Sequence, residues 1–376
     1  MLEVKVSAPL GAAILLAASV SWADKIEYTA YAYDDNANVS VSTTSFSLLK
    51  TLWQKTRMAL DVGLDQTTIP PLQIDGVTGA SRPARQSLSA FRKNRGQIIA
   101  GLQQDLGDNT ELAASYYFSQ EVDYSSQAGI VGLTQSFAEK NFTVTLSAQY
   151  TLDSVGEILA NGKLYNRFKE THQTSISITQ LLTPTSYVRM GADEMRNQGF
   201  LSDPYRKAVI PNAVNGLKDD TIQESVPDTR YRTAGWIEYN QYLTQLAGSF
   251  SVEYRYYLDD WNLNSNMVWF KLNKYITPNW VFSPQYRFYD QTGADFGSYA
   301  GGGSYHAPND AKLGTFGTNF FGAGLTCYLR TFTRNHPTWD FLRSSSITAK
   351  YSRYWDDVPT DNYSSNVLET RLRFEF

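Results

Sequence analysis

Few residues in this sequence are of the types that catalyse reactions or bind metals. The three histidines, His172, His306 and His336, lie far apart along the chain. No serine–histidine–acid arrangement can be built from them, because His172 shares the parity of apolar neighbours and the other two fall in predicted connections. The single Cys327 excludes an internal disulfide and a CxxCH haem site. We therefore predict that the protein is not an enzyme and has no cofactor.

Two acidic pairs and one glycine run are the other candidates for ligand binding. Asp259-Asp260 and Asp356-Asp357 could bind a cation, but acidic pairs in outer loops are more often simply solvated. Gly301–Gly303 does not follow a strand and open a helix, so no phosphate site is predicted there. A net charge of −4 provides no basic surface for nucleic acid. We predict neither a metal site nor a nucleic-acid partner.

Charged residues that alternate with apolar residues indicate more about function than the candidate catalytic and metal-binding residues do. Successive side chains of a strand point to opposite faces, so each such segment has one apolar and one charged face. If the apolar face meets lipid, the charged face lines a wet interior. The residues predicted to line a pore in this way are Lys55, Arg57, Asp61, Arg189, Asp193, Arg230, Arg232, Glu238, Glu253, Arg255, Arg287, Arg330, Lys350, Glu369, Arg371 and Arg373.

Two interpretations of this interior set remain open. In the first, the charges create a field that selects solutes by charge and size. In the second, they form mutually neutralising ion pairs that fill and rigidify the barrel. Arginines outnumber acids on the later strands, which mildly favours anionic or zwitterionic permeants.

The elements that must position these residues are alternating segments of about ten to fourteen residues, the length of a membrane-spanning strand and its ends. The clearest runs from Phe142 to Leu152, with apolar residues at even positions and Thr, Ser or Gln at odd ones. About sixteen such segments follow one another along the chain. The sequence therefore predicts an all-β, transmembrane, antiparallel up-and-down barrel.

The connections between these segments sort by length. The longest irregular stretches, 66–90, 197–228 and 291–318, come after odd-numbered strands. Short turns such as 107–110 and 277–279 come after even-numbered strands. This asymmetry is typical of barrels with long extracellular loops and short periplasmic turns. A soluble β-sandwich or propeller, the alternative all-β fold, would not show it.

The last strand, Ser364–Phe376, supports the same fold. Leu368, Leu372, Phe374 and Phe376 share one parity and are predicted to face lipid, although a soluble edge strand could alternate in the same way. A closing strand that ends in phenylalanine resembles the terminal signature of Gram-negative outer-membrane β-barrels. The resemblance implies an outer-membrane location and a role for Phe376 as the signal that the barrel-assembly machinery reads.

The first residues favour export to that compartment. Met1–Ala23 contains one basic residue, Lys5, an apolar run from Leu10 to Val20, and a small-x-small cleavage site at Ser21–Ala23. The apolar run is too short to cross a bilayer. We predict a signal peptide over 1–23 and one barrel domain over 24–376. Aromatic residues form 14% of the chain, and a barrel places them at both membrane interfaces.

Three segments are more specific than the general barrel pattern: Ile74–Arg85, Glu253–Trp261 and Pro284–Phe296. Together they resemble an uncharacterised family of porin-like outer-membrane proteins, which has no activity to assign to single residues. The segments YRYYLDD and YRFYDQT predict a Tyr–Arg cluster at the extracellular mouth. The alternative is that their aromatic residues belong to the girdle at the membrane interface.

The resulting functional prediction is a porin-like channel for passive passage of small polar or charged solutes. Its partners would be outer-membrane lipid, the assembly machinery and the solutes. The alternative is a barrel scaffold that holds a periplasmic or lipid-anchored partner in an envelope assembly, for example one that transfers electrons.

Overall fold

The computed structural model of the protein describes residues 24–36, 39–67, 93–158, 163–210, 220–295, 306–330, 342–356 and 363–376. The predictions for segment 1–23, for His336 and for Gly301–Gly303 lie outside these residues. Within them, no helix is long and apolar enough to cross a bilayer.

The described chain consists of strands and three short 3₁₀ turns, Ala138–Lys140, Thr244–Leu246 and Ala311–Leu313. The strands are β1 (Lys25–Asp35), β2 (Ser40–Trp53), β3 (Thr56–Thr67), β4 (Lys93–Asp105), β5 (Thr110–Gln120), β6 (Tyr124–Phe137), β7 (Phe142–Ile158), β8 (Leu164–Thr183), β9 (Ser186–Gly199), β10 (Lys207–Ile210), β11 (Asp220–Gln223), β12 (Thr229–Leu243), β13 (Gly248–Asp259), β14 (Asn264–Thr277), β15 (Trp280–Gln291), β16 (Phe316–Tyr328), β17 (Ser346–Asp356) and β18 (Ser364–Glu375).

Sixteen of these strands form one closed antiparallel barrel. Each strand pairs with its neighbour in sequence, except that β9 pairs with β12, because the β10–β11 hairpin lies in the connection between them. β1 pairs with β18 and closes the barrel. The all-β fold and the strand number are as predicted. The β10–β11 hairpin was not predicted, since 197–228 was expected to be irregular.

The outer face of the barrel is apolar. On β7 and β8, Leu146 and Ile176 pair across the strands and are 45% and 42% exposed, and Leu133 and Met190 on the flanking strands are exposed in the same way. Burying one such side chain contributes about 1.5–3 kcal/mol, so this surface requires lipid around it. Closure leaves no strand edge unpaired, which allows the barrel to cross a membrane. The protein is a bacterial outer-membrane β-barrel.

The two end strands meet at the seam of the barrel. Lys25 lies opposite Glu375, and the backbone N–H of Phe376 donates to the carbonyl oxygen of Asp24 at 3.1 Å. On the outer side of the seam, Ile26 lies opposite Phe374 and belongs to the same buried apolar cluster. The seam is therefore held by backbone ladders and by side-chain packing.

The predicted lipid-facing residues of β18 differ in exposure. Leu368 and Phe376 are 39% and 43% exposed, as a lipid-facing position requires. Leu372 and Phe374 have the same parity, but only 2% and 6% of their surface is exposed. Their exposure to lipid was wrongly predicted, because they pack with Leu48 and the apolar residues of β1.

The connections follow the predicted arrangement, with one exception. The connection between β16 and β17 lies on the periplasmic side, yet it covers 329–345, because β16 ends at Tyr328 and β17 begins at Ser346. The sequence predicted that these strands would reach 332 and 341. Instead the chain turns away after Tyr328, and Arg330 contacts the turn between β14 and β15.

Candidate functional site: the barrel lumen

Most of the predicted pore-lining residues lie on the inward face, opposite in parity to the apolar belt. Their positions follow from the strand register: Arg189 lies opposite Glu238, and Glu238 lies opposite Glu253. The predicted residues on this inward face are Arg57, Asp61, Arg189, Asp193, Arg230, Arg232, Glu238, Glu253, Arg255, Arg287, Lys350, Glu369, Arg371 and Arg373.

Two predicted residues do not belong to the wall. Lys55 is exposed in the turn between β2 and β3, and its carbonyl oxygen accepts the N–H of Asp105. Arg330 lies beyond the end of β16, where its Nε donates to the Asn279 side-chain oxygen at 3.1 Å. Both predictions were wrong because the alternating pattern was extended past the true strand ends.

A network of ion pairs occupies the middle of the wall from β9 to β14. Arg189 donates to Glu238 at 2.7 Å, and Lys271 lies 3.4 Å from Glu253 and 4.0 Å from Glu238. Arg255 contacts Glu253 at 4.0 Å and, with a hydrogen bond of 3.0 Å, Asp193 on β9. The charges in this part of the wall therefore largely neutralise one another.

Aromatic rings accompany these cations. Lys271 Nζ lies 3.8 Å from the centre of the Trp269 ring, and the Trp236 ring lies 5.2 Å from the Arg189 guanidinium. Such contacts stabilise a cation by about 0.5–2 kcal/mol. Trp236 can lie flat against β9 because its neighbour there is Gly191, where a Cβ would come within 2.6 Å of the ring. These contacts fix the cations in place along the wall.

Arg287 is the most enclosed cation of the wall, with 3% of its surface exposed. Its guanidinium lies 5.8, 5.5 and 5.7 Å from the rings of Trp269, Phe320 and Tyr354. The predicted Tyr–Arg cluster is formed only in part, because Tyr289 faces inward with Arg287 while Tyr286 of the same segment faces outward.

Inward-facing arginines near the periplasmic end of the wall are exposed to solvent. Arg57 contacts Asp105 at 2.9 Å and Glu111 at 2.8 Å, and Arg371 contacts Glu369 at 2.9 Å. The side chains of both arginines retain substantial exposure, 36% and 46%. Water reaches this part of the wall from inside the barrel.

The extracellular half is packed along β12 to β16. Tyr257 and Tyr289 face inward and are fully buried, in clusters with Leu263 and with Met267 and Phe316 respectively. Inward-facing aromatic residues with no exposure show that this side of the lumen is filled.

Asp259, the first residue of the pair Asp259-Asp260, has a structural role. The buried carboxylate of Asp259 accepts from Arg230 Nε at 2.8 Å and from the Tyr257 hydroxyl at 2.7 Å. It also accepts the N–H groups of Trp261 and Leu263, at 3.0 and 2.9 Å, and so closes the turn after β13. The prediction of a solvated pair was wrong for Asp259, because the turn folds over it.

A cavity of about 620 Å³ lies on the other side, beneath the extracellular loops. Its wall is formed by the upper ends of β4 to β9 and β12, and its roof by residues 200–206, 224–226 and 310–313. Cations in its lining contact carboxylates, as Lys93 does with Asp123 at 2.8 Å and Lys169 with Asp153 at 3.0 Å. The cavity is polar without a strong excess of either charge.

The roof consists of two loops joined by Arg206. Its guanidinium lies 3.0 Å from Glu224 and 3.2 Å from Asp310, which belongs to the connection between β15 and β16. Asn309 donates its N–H to Glu224 at 2.9 Å, and Ser225 forms a backbone bridge with Ala307. Burial disfavours the charged guanidinium, but the surrounding carboxylates outweigh burial and raise the pKa of Arg206.

The wall from β5 to β8 is different, and our reading of the sequence did not single it out. Between the charged residues at its two ends, its inward positions carry no charge and are mainly Ser, Thr and Gln. In the middle and lower rows these residues are half-buried, as expected for side chains that meet a wet lumen, whereas Ser119, Ser126, Thr151 and Thr171 in the upper rows are buried. The signal was present in the odd positions of Phe142–Leu152, but only charged residues were considered as pore-lining candidates.

The arrangement suits hydrogen bonding and electrostatic contact with a passing solute. Among the described residues there is no group of three or more His, Cys, Asp or Glu side chains that could hold a metal ion. His172 faces outward, with its ring centre 4.7 Å from that of Tyr150.

Solved structures similar to this chain are outer-membrane proteins of several kinds. The siderophore receptor PirA from Acinetobacter baumannii has 9% identity and a TM-score of 0.46, over 88% of this chain and 52% of that one. The CymD monoaromatic hydrocarbon channel has 9% identity and a TM-score of 0.45, over 94% and 88%. A bacterial polysaccharide outer membrane secretin has 10% identity and a TM-score of 0.49, over 94% and 98%. The chain spans about half the length of the siderophore receptors that it matches.

No curated protein matches the sequence. The model of a family described as "Protein of unknown function (DUF3570)" matches residues 7–335. This range includes Ile74–Arg85, Glu253–Trp261 and Pro284–Phe296, the segments that suggested an uncharacterised family of outer-membrane barrels. Because the match covers most of the chain, the protein belongs to the DUF3570 family.

Proposed function

We propose that the protein is an outer-membrane channel for the passive passage of small polar or charged solutes. The observation that supports this most directly is the polar wall from β5 to β8, which is half-exposed from its periplasmic end to the middle of the barrel and is buried in the rows just below the cavity. A barrel of this strand number is wide enough for an aqueous channel. Solutes would follow this wall, since the extracellular half is packed along β12 to β16.

The ion pairs of the wall from β9 to β14 support weak selectivity between anions and cations. Arg189, Lys271 and Arg255 each contact a carboxylate, so little net field remains at mid-height. Their role in this proposal is to keep a wide barrel rigid and polar while it excludes apolar molecules. This combines the two interpretations that the sequence left open.

Conductance of the purified, folded barrel in planar lipid bilayers tests the proposal. Stepwise openings with a low preference between potassium and chloride are expected. A folded barrel that shows neither conductance nor swelling of liposomes in permeant solutes would contradict it. A stoichiometric partner retained on gentle extraction, together with absent conductance, would instead support the scaffold alternative.

A further inference from the structure

The uncharged wall from β5 to β8 is a continuous surface across four paired strands. Two rows cross it: Ser115, Ile130, Gln149 and Gln173 lie in one register row, and Ser147 and Ser175 are opposite each other in the next. All inward positions of these strands are described, and charge begins only at Glu111 below and at Asp153 and Lys169 above. The surface therefore carries no fixed charge over the middle of the barrel, and its hydrogen-bonding side chains there lie mainly on β7 and β8, since the central inward residues of β6 are Ala128, Ile130 and Gly132.

Much of the hydrogen-bonding capacity of this surface is unused by the protein. Gln149 donates to Thr151 at 3.0 Å, which leaves its carbonyl oxygen and a second N–H. Gln173, Ser147 and Ser175 make no side-chain hydrogen bond within the described part of the chain. Polar groups nearer the ends of the wall do pair, as Thr134 does with Thr145 and Thr171 with Asn197, so the unpaired groups are those of the central rows.

The chemistry of these groups discriminates between solutes. The hydroxyl and carboxamide groups of the wall both donate and accept hydrogen bonds. An anion can interact only with the donors of the wall, and a metal cation only with its acceptors. A solute that matches the whole surface must itself carry many groups that donate and accept. Polyols and sugars have this property, because every hydroxyl group does both.

The opposite wall is packed and offers no comparable surface. β17 is the fifteenth strand of the barrel and lies eight strands from β7, so the two are diametrically opposed. The inward rings of Phe320 and Tyr354, on β16 and β17, are only 4% and 8% exposed. The hydrogen-bonding groups that a solute could reach therefore lie mainly on the β5–β8 side.

We infer that the inward face of β5–β8 is a binding surface for neutral polyhydroxyl solutes, with Gln149 and Gln173 at its centre. The inference rests on the proposed channel function and specifies its solute. Transient hydrogen bonds along the wall replace those that the solute leaves behind in water. Such solutes are then retained longer in the lumen than polyethers of equal size, which carry few donors.

Sucrose is a suitable probe in the same bilayer experiment. With the wild-type barrel, sucrose is expected to cause brief, concentration-dependent interruptions of the current. A polyethylene glycol of matching size should cause no such interruptions. It should lower the channel conductance only in proportion to the fall in conductivity of the bulk solution. The double variant Gln149→Leu/Gln173→Leu loses the central carboxamides, so the half-blocking sucrose concentration should rise about tenfold, as expected for two lost hydrogen bonds.

Gln285→Leu is the matched control. Gln285 is also an inward-facing, half-buried glutamine, but it lies on β15 in the charged half of the barrel. Its replacement should leave sucrose block unchanged. If the double leucine variant does not fold, Ser147→Ala/Ser175→Ala removes hydroxyl groups from the same surface with a smaller change in shape, and a weaker increase is expected.

The outcomes separate the two proposals. Absence of conductance in the wild-type barrel would overturn the channel function itself. Normal conductance with no difference between sucrose and the polyether would overturn the polyol surface alone. An equal loss of sucrose block in Gln285→Leu would also overturn it, because the effect would not depend on this wall.

Discussion

Replacing Asp259 by alanine should strongly destabilise the barrel. Its carboxylate has no exposed surface and is the ion-pair partner of Arg230, which is 7% exposed. Leaving a buried charge without its partner costs about 3–5 kcal/mol. The N–H groups of Trp261 and Leu263 lose their acceptor as well, at about 1 kcal/mol each. We therefore expect a loss of at least about 4 kcal/mol in the free energy of unfolding.

Unfolding in urea, followed by tryptophan fluorescence in lipid vesicles and by gel mobility of the folded form, measures this loss. Asp260→Ala is the control, since the Asp260 carboxylate accepts one N–H, that of Tyr231, at 2.9 Å at an exposed site. It should cost about 1 kcal/mol or less. The double variant Arg230→Ala/Asp259→Ala should recover part of the loss, because no unpaired charge remains. Equal stabilities of Asp259→Ala and Asp260→Ala would refute the reasoning.

Three further predictions concern the lumen, the wall and the seam. Glu238→Gln removes the carboxylate shared by Arg189 and Lys271. The ratio of anion to cation permeability, measured from reversal potentials, should therefore rise about two- to threefold. Glu194→Gln, on the outward face, should leave this ratio unchanged. Gly191→Ala places a Cβ 2.6 Å from both a Trp236 ring atom and a backbone oxygen, and should cost about 1–3 kcal/mol in urea unfolding. Gly235→Ala, with open space around its Cβ, should cost far less, and similar costs would argue against the close packing. Deleting Phe376 should lower the amount of folded barrel in the outer membrane more than the conductance per barrel, and an unchanged amount would count against the assembly role.

Much of the fold was predictable from the sequence because strand alternation is a local property. The segment Phe142–Leu152 shows its two faces without reference to any other strand, and the sorting of long and short connections fixes the orientation. The ends of strands were less predictable. Lys55 and Arg330 continue the alternating pattern, but Lys55 lies in the two-residue turn before β3, and Arg330 lies beyond β16 and contacts the turn at Asn279.

The ion-pair partners of the lumen residues could not be predicted from the sequence. The inward parity of Glu238 and Arg255 could be read from their own strands, but their partners depend on the register between strands. The burial of Leu372 and Phe374 depends on closure with β1, which brings together the two ends of the chain. The hairpin β10–β11 was missed because its strands are only four residues long.

The seam between β1 and β18 also has a consequence for the order of events during insertion. Most other strand pairs of the barrel join neighbours in sequence, whereas this pair joins the first strand to the last. The hydroxyl groups of Tyr33 and Tyr363 are in contact at this seam. The pairing of β1 with β18 cannot form until the final strand has been delivered, and the entropy of closing so long a chain opposes it. An unfinished barrel would present two open edges and the apolar side chains of Ile26 and Leu48. Until the last strand arrives, such an intermediate would be open to edge-to-edge pairing with other chains.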